Sequence, residues 1–115
     1  MSQTYEKIEI IIIDDNSTDN SKQILNKYLK HPKIKVLFNK KNLGLLKSSN
    51  IAIKASKGEY IMRLDADDYL DKKIVETFVQ RIVRGPKIAM VYSDYHEVNS
   101  EGKKINSIKQ ISSKT

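Results

Sequence analysis

The chain has 115 residues, 39% of them hydrophobic, no cysteine and a formal net charge of +7. That is enough for one small domain with a single core, and the regular apolar patterning separates it from disordered chains. No run approaches the roughly 18–20 consecutive apolar residues of a membrane helix, Met1-Ser2-Gln3-Thr4-Tyr5-Glu6 lacks the basic and apolar parts of a signal peptide, and the missing cysteine excludes a disulfide framework or thiolate metal site. The expected location is cytoplasmic, compatible with peripheral attachment at the inner face of the membrane.

Residues 8–13, Ile-Glu-Ile-Ile-Ile-Ile, read as a strand covered on both faces of a parallel sheet. It runs into Asp14-Asp15-Asn16-Ser17-Thr18-Asp19, a cluster of good helix N-cap residues in which Asp19 suits a first helical turn. Ile24, Leu25, Tyr28 and Leu29 predict a helix over 18–30, closed by His31-Pro32 because the residue before proline disfavours helical backbone. A second strand follows over 34–38, then the loop Asn39 to Gly44. A helix over 45–56 carries Ser48, Ser49, Ala52 and Ala55, small enough for close approach to a sheet. Lys57-Gly58 punctuates before a third strand over 60–64.

That strand ends in Asp65, Asp67 and Asp68. Clustered acids repel unless a cation or several donors neutralise them, and grouped oxygen ligands suit a hard divalent ion shared with a substrate phosphate. A solvated acidic turn is the plainer alternative. Ile74, Val75, Phe78, Val79, Ile82 and Val83 then predict a helix over 71–84, stopped by Gly85-Pro86. A fourth strand is expected over 88–93, a turn between short edge strands at 98–103, and a frayed tail over 107–115.

Charge is uneven along this order: residues 1–19 carry one Lys and five acids, 20–58 ten Lys and no acid, and 59–115 ten basic and nine acidic residues. A lysine-only middle suits nucleic acid, an anionic membrane surface or a phosphate-bearing substrate. No aromatic interleaving or nucleic-acid motif accompanies it, so a solvated basic face is the reading adopted and nucleic acid is not an expected partner. The element order β-α-β-α-β-α-β predicts an α/β three-layer sandwich, a mostly parallel sheet with helices on both faces. Ligands of such sheets bind beyond the carboxyl ends of the strands, and both acidic clusters lie there.

Four segments resemble family 2 glycosyltransferases, inverting enzymes with the nucleotide-sugar-binding GT-A fold: Glu9 through Asp19, Asn42-Leu43-Gly44 through Asn50, Ala55 through Ile61, and Leu64 through Asp68. The match covers about residues 3–95. The resemblance implies a partial GT-A domain over 1–106 that binds a nucleoside diphosphate sugar, with UDP as its nucleotide, and passes the sugar to a glycan or lipid acceptor. It implies that Asp15 accepts from the nucleotide base, with Asp14, Ser17, Lys47 and Asn50 at the same nucleotide site. Asp65 and Asp67 match the family's Asp-X-Asp motif, Asp65 near the ribose and Asp67 on Mn²⁺ or Mg²⁺, and Asp68 supports that metal or caps the following helix. Lys47 contacts phosphate or is merely solvated.

The departures shape the expectation too. The first strand and most of the first helix of the family are missing, Ser2–Tyr5 matching the end of that helix. The missing strand would lie between 8–13 and 60–64. Ser49 stands where many members have Arg. No acid is marked as the catalytic base, Asp94 and Glu97 being the nearest candidates. The expectation is a donor-binding part with transfer incomplete on its own. The alternative is a non-catalytic interaction module that dimerises through the incomplete sheet or is completed by another chain.

Overall fold

A run of β-branched residues ending in a carboxylate sets the first strand, Ile10–Asp14 (β1); the computed structural model describes residues 3–85 and 88–110. Ile34–Phe38 (β2) lies parallel to it, with Ile10 opposite Ile34 and Asp14 opposite Phe38. The connection contains the helix Ser21–Asn26 (α1), so the first βαβ unit forms as its pattern predicts. Leu45–Ala55 (α2) follows and packs against β1. Ile74–Val83 (α3) precedes an antiparallel hairpin of Tyr95–Val98 (β3) and Lys104–Ile108 (β4). These elements gather into two units: Glu6–Tyr69 forms one, and the described residues of Met1–Tyr5 and Leu70–Thr115 form the other.

The α/β class is as expected, but the sheet is shorter. Residues 60–64 and 88–93 form no strand. Strand character needs a neighbour for each backbone N–H and C=O, and among the described residues no segment pairs with either run. The ladder that a strand between 8–13 and 60–64 would provide is not offered within the described chain. Tyr60, Ile61, Met62 and Leu64 consequently stay exposed.

Both outer helices are also shorter than their patterns. Beyond Asn26, α1 gives way to turns such as Tyr28 N–H on Leu25 C=O at 2.9 Å and His31 N–H on Tyr28 C=O at 3.0 Å. Its apolar face finds no cover, with Leu29 53% exposed, and helices owe most of their stability to such packing. At α3, Asp71 forms the preceding turn by accepting the Lys73 N–H at 2.8 Å. This corrects the reading of Asp68 as the helix cap; the Asp68 N–H instead donates to the Asp65 carbonyl at 3.1 Å. Gln3 braces the same end, its Nε2 donating to the Asp71 carbonyl at 2.7 Å, so Gln3–Tyr5 is not the helix end expected of it. Pro86 lies outside the described residues. Of the expected tail, Ser107 and Ile108 belong to β4, and 111–115 lie outside the description.

Burial is shallow. Among the described residues no apolar side chain is fully buried, and the most enclosed positions are Asp14 and Ser48, each 4% exposed. A two-stranded sheet with one helix against it has little surface to cover.

Candidate functional site

The carboxyl end of β1 turns sharply. Asp14 is buried, and both its carboxylate oxygens accept the Ser17 N–H at 3.3 Å. Between them Asn16 takes a left-handed φ of 63°, a conformation that Asn tolerates better than most residues. Its Oδ1 accepts from Lys22 Nζ at 3.1 Å. Asp19, expected in the first turn of α1, instead lies just ahead of it and accepts the Ser21 N–H at 2.9 Å.

Asp15 joins three parts of the chain. Its Oδ1 accepts from Asn39 Nδ2 and from the Leu43 N–H, both at 2.8 Å. Its Oδ2 accepts the Gly44 N–H at 2.8 Å. Asn39 stands just past β2, where its own N–H bonds the Asp14 carbonyl at 2.9 Å, and its Nδ2 also reaches the buried Ser48 Oγ at 3.0 Å. One carboxylate thus holds the ends of β1 and β2 and the start of α2 together. The Asn39 amide, then the Leu43 and Gly44 N–H groups, keep the Asp15 carboxyl below its ordinary 3.8 despite some desolvation. The family resemblance implies an acceptor aimed at a base, whereas here much of its acceptor capacity serves the loop. Oδ2 accepts the Gly44 N–H, and a carboxylate oxygen has lone pairs enough for a second N–H.

In the 60–68 stretch the acids have an internal cation. Arg63 Nε donates to Asp65 Oδ1 at 2.9 Å and Nη2 to Oδ2 at 2.7 Å, a two-pronged pair. That pair holds the Asp65 carboxyl below 3.8 and raises the Arg63 pKa, with the field of Asp68 adding to the latter. Both partners are exposed, 59% and 45%, so the pair orients more than it stabilises. Asp67 and Asp68 are exposed. Among the described residues no three acidic or histidine side chains converge as a ready-made metal cage.

The turn after β1 and Ala66 of the second acidic segment share one cleft, which Asp65, Asp67 and Asp68 themselves do not line. Asp14, Asp15 and Ser17 line a cavity of about 240 Å³ together with Ser21, Ile24 and Ala66, the residue between Asp65 and Asp67. That is below the roughly 300–1,000 Å³ of pockets enclosing a whole drug-sized ligand; it suits one ring of a larger ligand. Lys47 and Asn50 are exposed on α2 and do not line it. Arg63 and Asn39 carry no motif, but each had a signal: Arg63 lies two residues before Asp65, and Asn39 closes the strand beside β1.

A family model described as Glycosyl transferase family 2 matches residues 1–114. The chain is 36% identical over 103 residues to a chondroitin synthase of Pasteurella multocida, covering 89% of this chain and 11% of that protein. It is 33% identical over 103 residues to glycosyltransferase GlyG of Streptococcus pneumoniae, covering 89% of this chain and 34% of that one. Over 96 residues it is 38% identical to the UDP-Glc:alpha-D-GlcNAc-diphosphoundecaprenol beta-1,3-glucosyltransferase WfaP of Escherichia coli, covering 84% of this chain and 38% of that one. The chain therefore spans between about a tenth and two fifths of these relatives.

Proposed function

The chain belongs to glycosyl transferase family 2, and from that premise we propose that its Glu6–Tyr69 unit is the donor-binding part of an inverting glycosyltransferase. Its α/β fold is that of the GT-A class. The ligand is a nucleoside diphosphate sugar, with uridine as the nucleoside, taken up with Mn²⁺ or Mg²⁺. The observation that carries this reading is the shared cleft, in which the turn after β1 meets Ala66 of the Asp65–Asp68 stretch. The name of WfaP, with its UDP-glucose donor and diphosphoundecaprenol-linked acceptor, supports a uridine donor and a lipid or glycan acceptor.

The residues divide the work by their chemistry. Asp15 Oδ2 accepts the imide N–H of the base while its other bonds keep the carboxylate ionised and fixed. Asp14 and Ser17 shape the turn beneath the ring. Lys47 and Asn50 serve the phosphate side from α2. The donor set fits a cation held by one or two carboxylates and completed by phosphate oxygens, since such ions keep few protein ligands. Asp67 would be the first ligand, with Asp65, whose oxygens Arg63 engages, and Asp68 beside it. The ion, when bound, supplies Lewis acidity to the departing nucleoside diphosphate. Asp94 accepts from the Gln110 N–H at 2.9 Å and Glu97 from Asn106 Nδ2 at 3.4 Å, and neither is assigned as the base that activates the acceptor. No helix among the described residues is long and apolar enough to cross a membrane, and we place the site on the cytoplasmic side.

A ligand bound only by the folded state stabilises it, by about 2.7 kcal/mol at a hundred times Kd. UDP with Mn²⁺ should raise the melting temperature of the chain, and Asp67→Ala should remove the rise. No shift at millimolar UDP, or an equal shift in Asp67→Ala, refutes the metal-assisted donor reading. Exposed apolar residues such as Leu46, 80% exposed, and Ile61, 58% exposed, favour a second reading, a module completed by another chain. Light scattering decides it: a monodisperse monomer that binds UDP argues against that reading.

A further inference from the structure

We infer that Glu9 is a positioning residue for the acidic stretch, pinning the backbone at Lys57 and Gly58 from which that stretch departs. Its Oε1 accepts two consecutive amides, the Lys57 N–H at 2.5 Å and the Gly58 N–H at 2.9 Å. Glu9 immediately precedes β1, and Lys57 follows the Ser56 cap of α2. The carboxylate therefore ties the exit of α2 back to the strand against which that helix packs.

The strap matters because of what lies beyond it. Asp65 is seven residues past Gly58, and over 59–64 the chain joins no sheet. A regular parallel strand would set the height of Asp65 and Asp67 through its ladder. Here the last point tied to β1 by Glu9 performs that task. Gly58 contributes from the other side: a Cβ there would stand 3.1 Å from the Tyr60 carbonyl oxygen and 3.8 Å from Glu9 Oε1. A side chain there would therefore crowd the Tyr60 carbonyl, which would have to give by a few tenths of an ångström. Glu9 does not line the cleft, so its influence on a ligand runs through this backbone alone.

The inference rests on the donor-site reading for its functional half, while its structural half stands independently. The test measures amide exchange without ligand and UDP affinity with Mn²⁺ in the wild type, Glu9→Ala, Glu9→Gln, Gly58→Ala and, as a charge control, Glu6→Ala. Glu9→Ala should speed exchange at Lys57 and Gly58 by about tenfold, the size of one lost charge-assisted hydrogen bond. It should also weaken UDP binding by about fivefold, the low end of the coupling between distant groups and a binding site. Glu9→Gln keeps an oxygen that accepts both amides and should stay within about twofold of wild type on both measures. Gly58→Ala should follow Glu9→Ala, and Glu6→Ala should follow wild type. Unchanged exchange at Lys57 and Gly58 in Glu9→Ala overturns the strap. So does loss of protection spread evenly over β1 and β2 in both Glu9 variants, which marks a general fold element. Faster local exchange with unaltered UDP affinity overturns the positioning role. A wild type that binds no UDP refutes the donor-site reading instead, and the strap is then judged on exchange alone.

Discussion

Asn39 offers the sharpest perturbation, because its side chain is the bridge between Asp15 and Ser48 and its backbone bond survives substitution. Asn39→Ala removes the 2.8 Å bond to Asp15 Oδ1 and the 3.0 Å bond to Ser48 Oγ, and leaves the N–H on the Asp14 carbonyl. A neutral hydrogen bond contributes about 0.5–1.5 kcal/mol and one to an ionised group somewhat more, so at this half-buried position the two sum to about 2 kcal/mol. The amides of Leu43 and Gly44, which also donate to Asp15, report the loss directly. Their hydrogen exchange should quicken by about 30-fold at pH 7, each 1.4 kcal/mol being tenfold.

Asn39→Asp adds a test of mechanism. At pH 7 it sets a second carboxylate against Asp15, and like charges disfavour joint ionisation, so its effect should exceed that of alanine. Asp15 binds protons less readily in the folded chain than at its ordinary 3.8. Its own contribution is therefore complete above that value and lost as pH falls through the lower folded one. As pH falls, the new carboxyl, with the higher pKa of the pair, takes up a proton first and can donate to Asp15, rebuilding the bridge. Exchange at Leu43 and Gly44, corrected for the intrinsic pH dependence, should thus recover towards wild type in Asn39→Asp and not in Asn39→Ala. Identical pH profiles for the two variants would refute this account of Asp15 as a charged hub.

Two further outcomes follow from the geometry. Gly44 has φ 79° and ψ 165°, a region almost reserved for glycine and costing other residues about 1–3 kcal/mol. A Cβ there meets nothing within 4 Å, so Gly44→Ala should lower the urea midpoint through backbone strain alone, and an unchanged midpoint would contradict the assigned conformation. Arg63→Ala should let the Asp65 carboxyl titrate upward, towards 3.8, since the Arg63 hydrogen bonds are the largest cause of its low value; a carbon-detected titration in which Asp65 does not move would show that the pair is not formed in solution.

Much of this arrangement could be read from residues close together in the chain. The Ile10–Asp14 strand, its partner at 34–38 and the helix starting at Leu45 each carry their pattern locally, and the turn at 98–103 announced the hairpin. The runs at 60–64 and 88–93 carry equally good strand patterns yet form none, because a ladder is a property of two segments and among the described residues neither run has a partner. The site divides the same way. Acid at the ends of both 8–13 and 60–64 predicts a common sheet edge; 60–64 joins no sheet, and what the two segments share is a cleft lined by Asp15 and Ala66. What Asp15 and Glu9 bond to was not legible, since their donors at Leu43, Gly44, Lys57 and Gly58 are backbone amides, which every residue but proline has. Arg63 carries no local mark of its role: a cation two residues before an acid is a common spacing, and only the 2.7–2.9 Å geometry reveals the pair.

The claim that the turn after β1 and the Asp65–Asp68 stretch form one donor site is most directly tested with Mn²⁺ as a paramagnetic probe. In the presence of UDP, substoichiometric Mn²⁺ should broaden the amide signals of 65–68 and of 14–17 together. In Asp67→Ala both sets should stay sharp. Broadening confined to one acidic segment, or unchanged by Asp67→Ala, would contradict a single metal-assisted site.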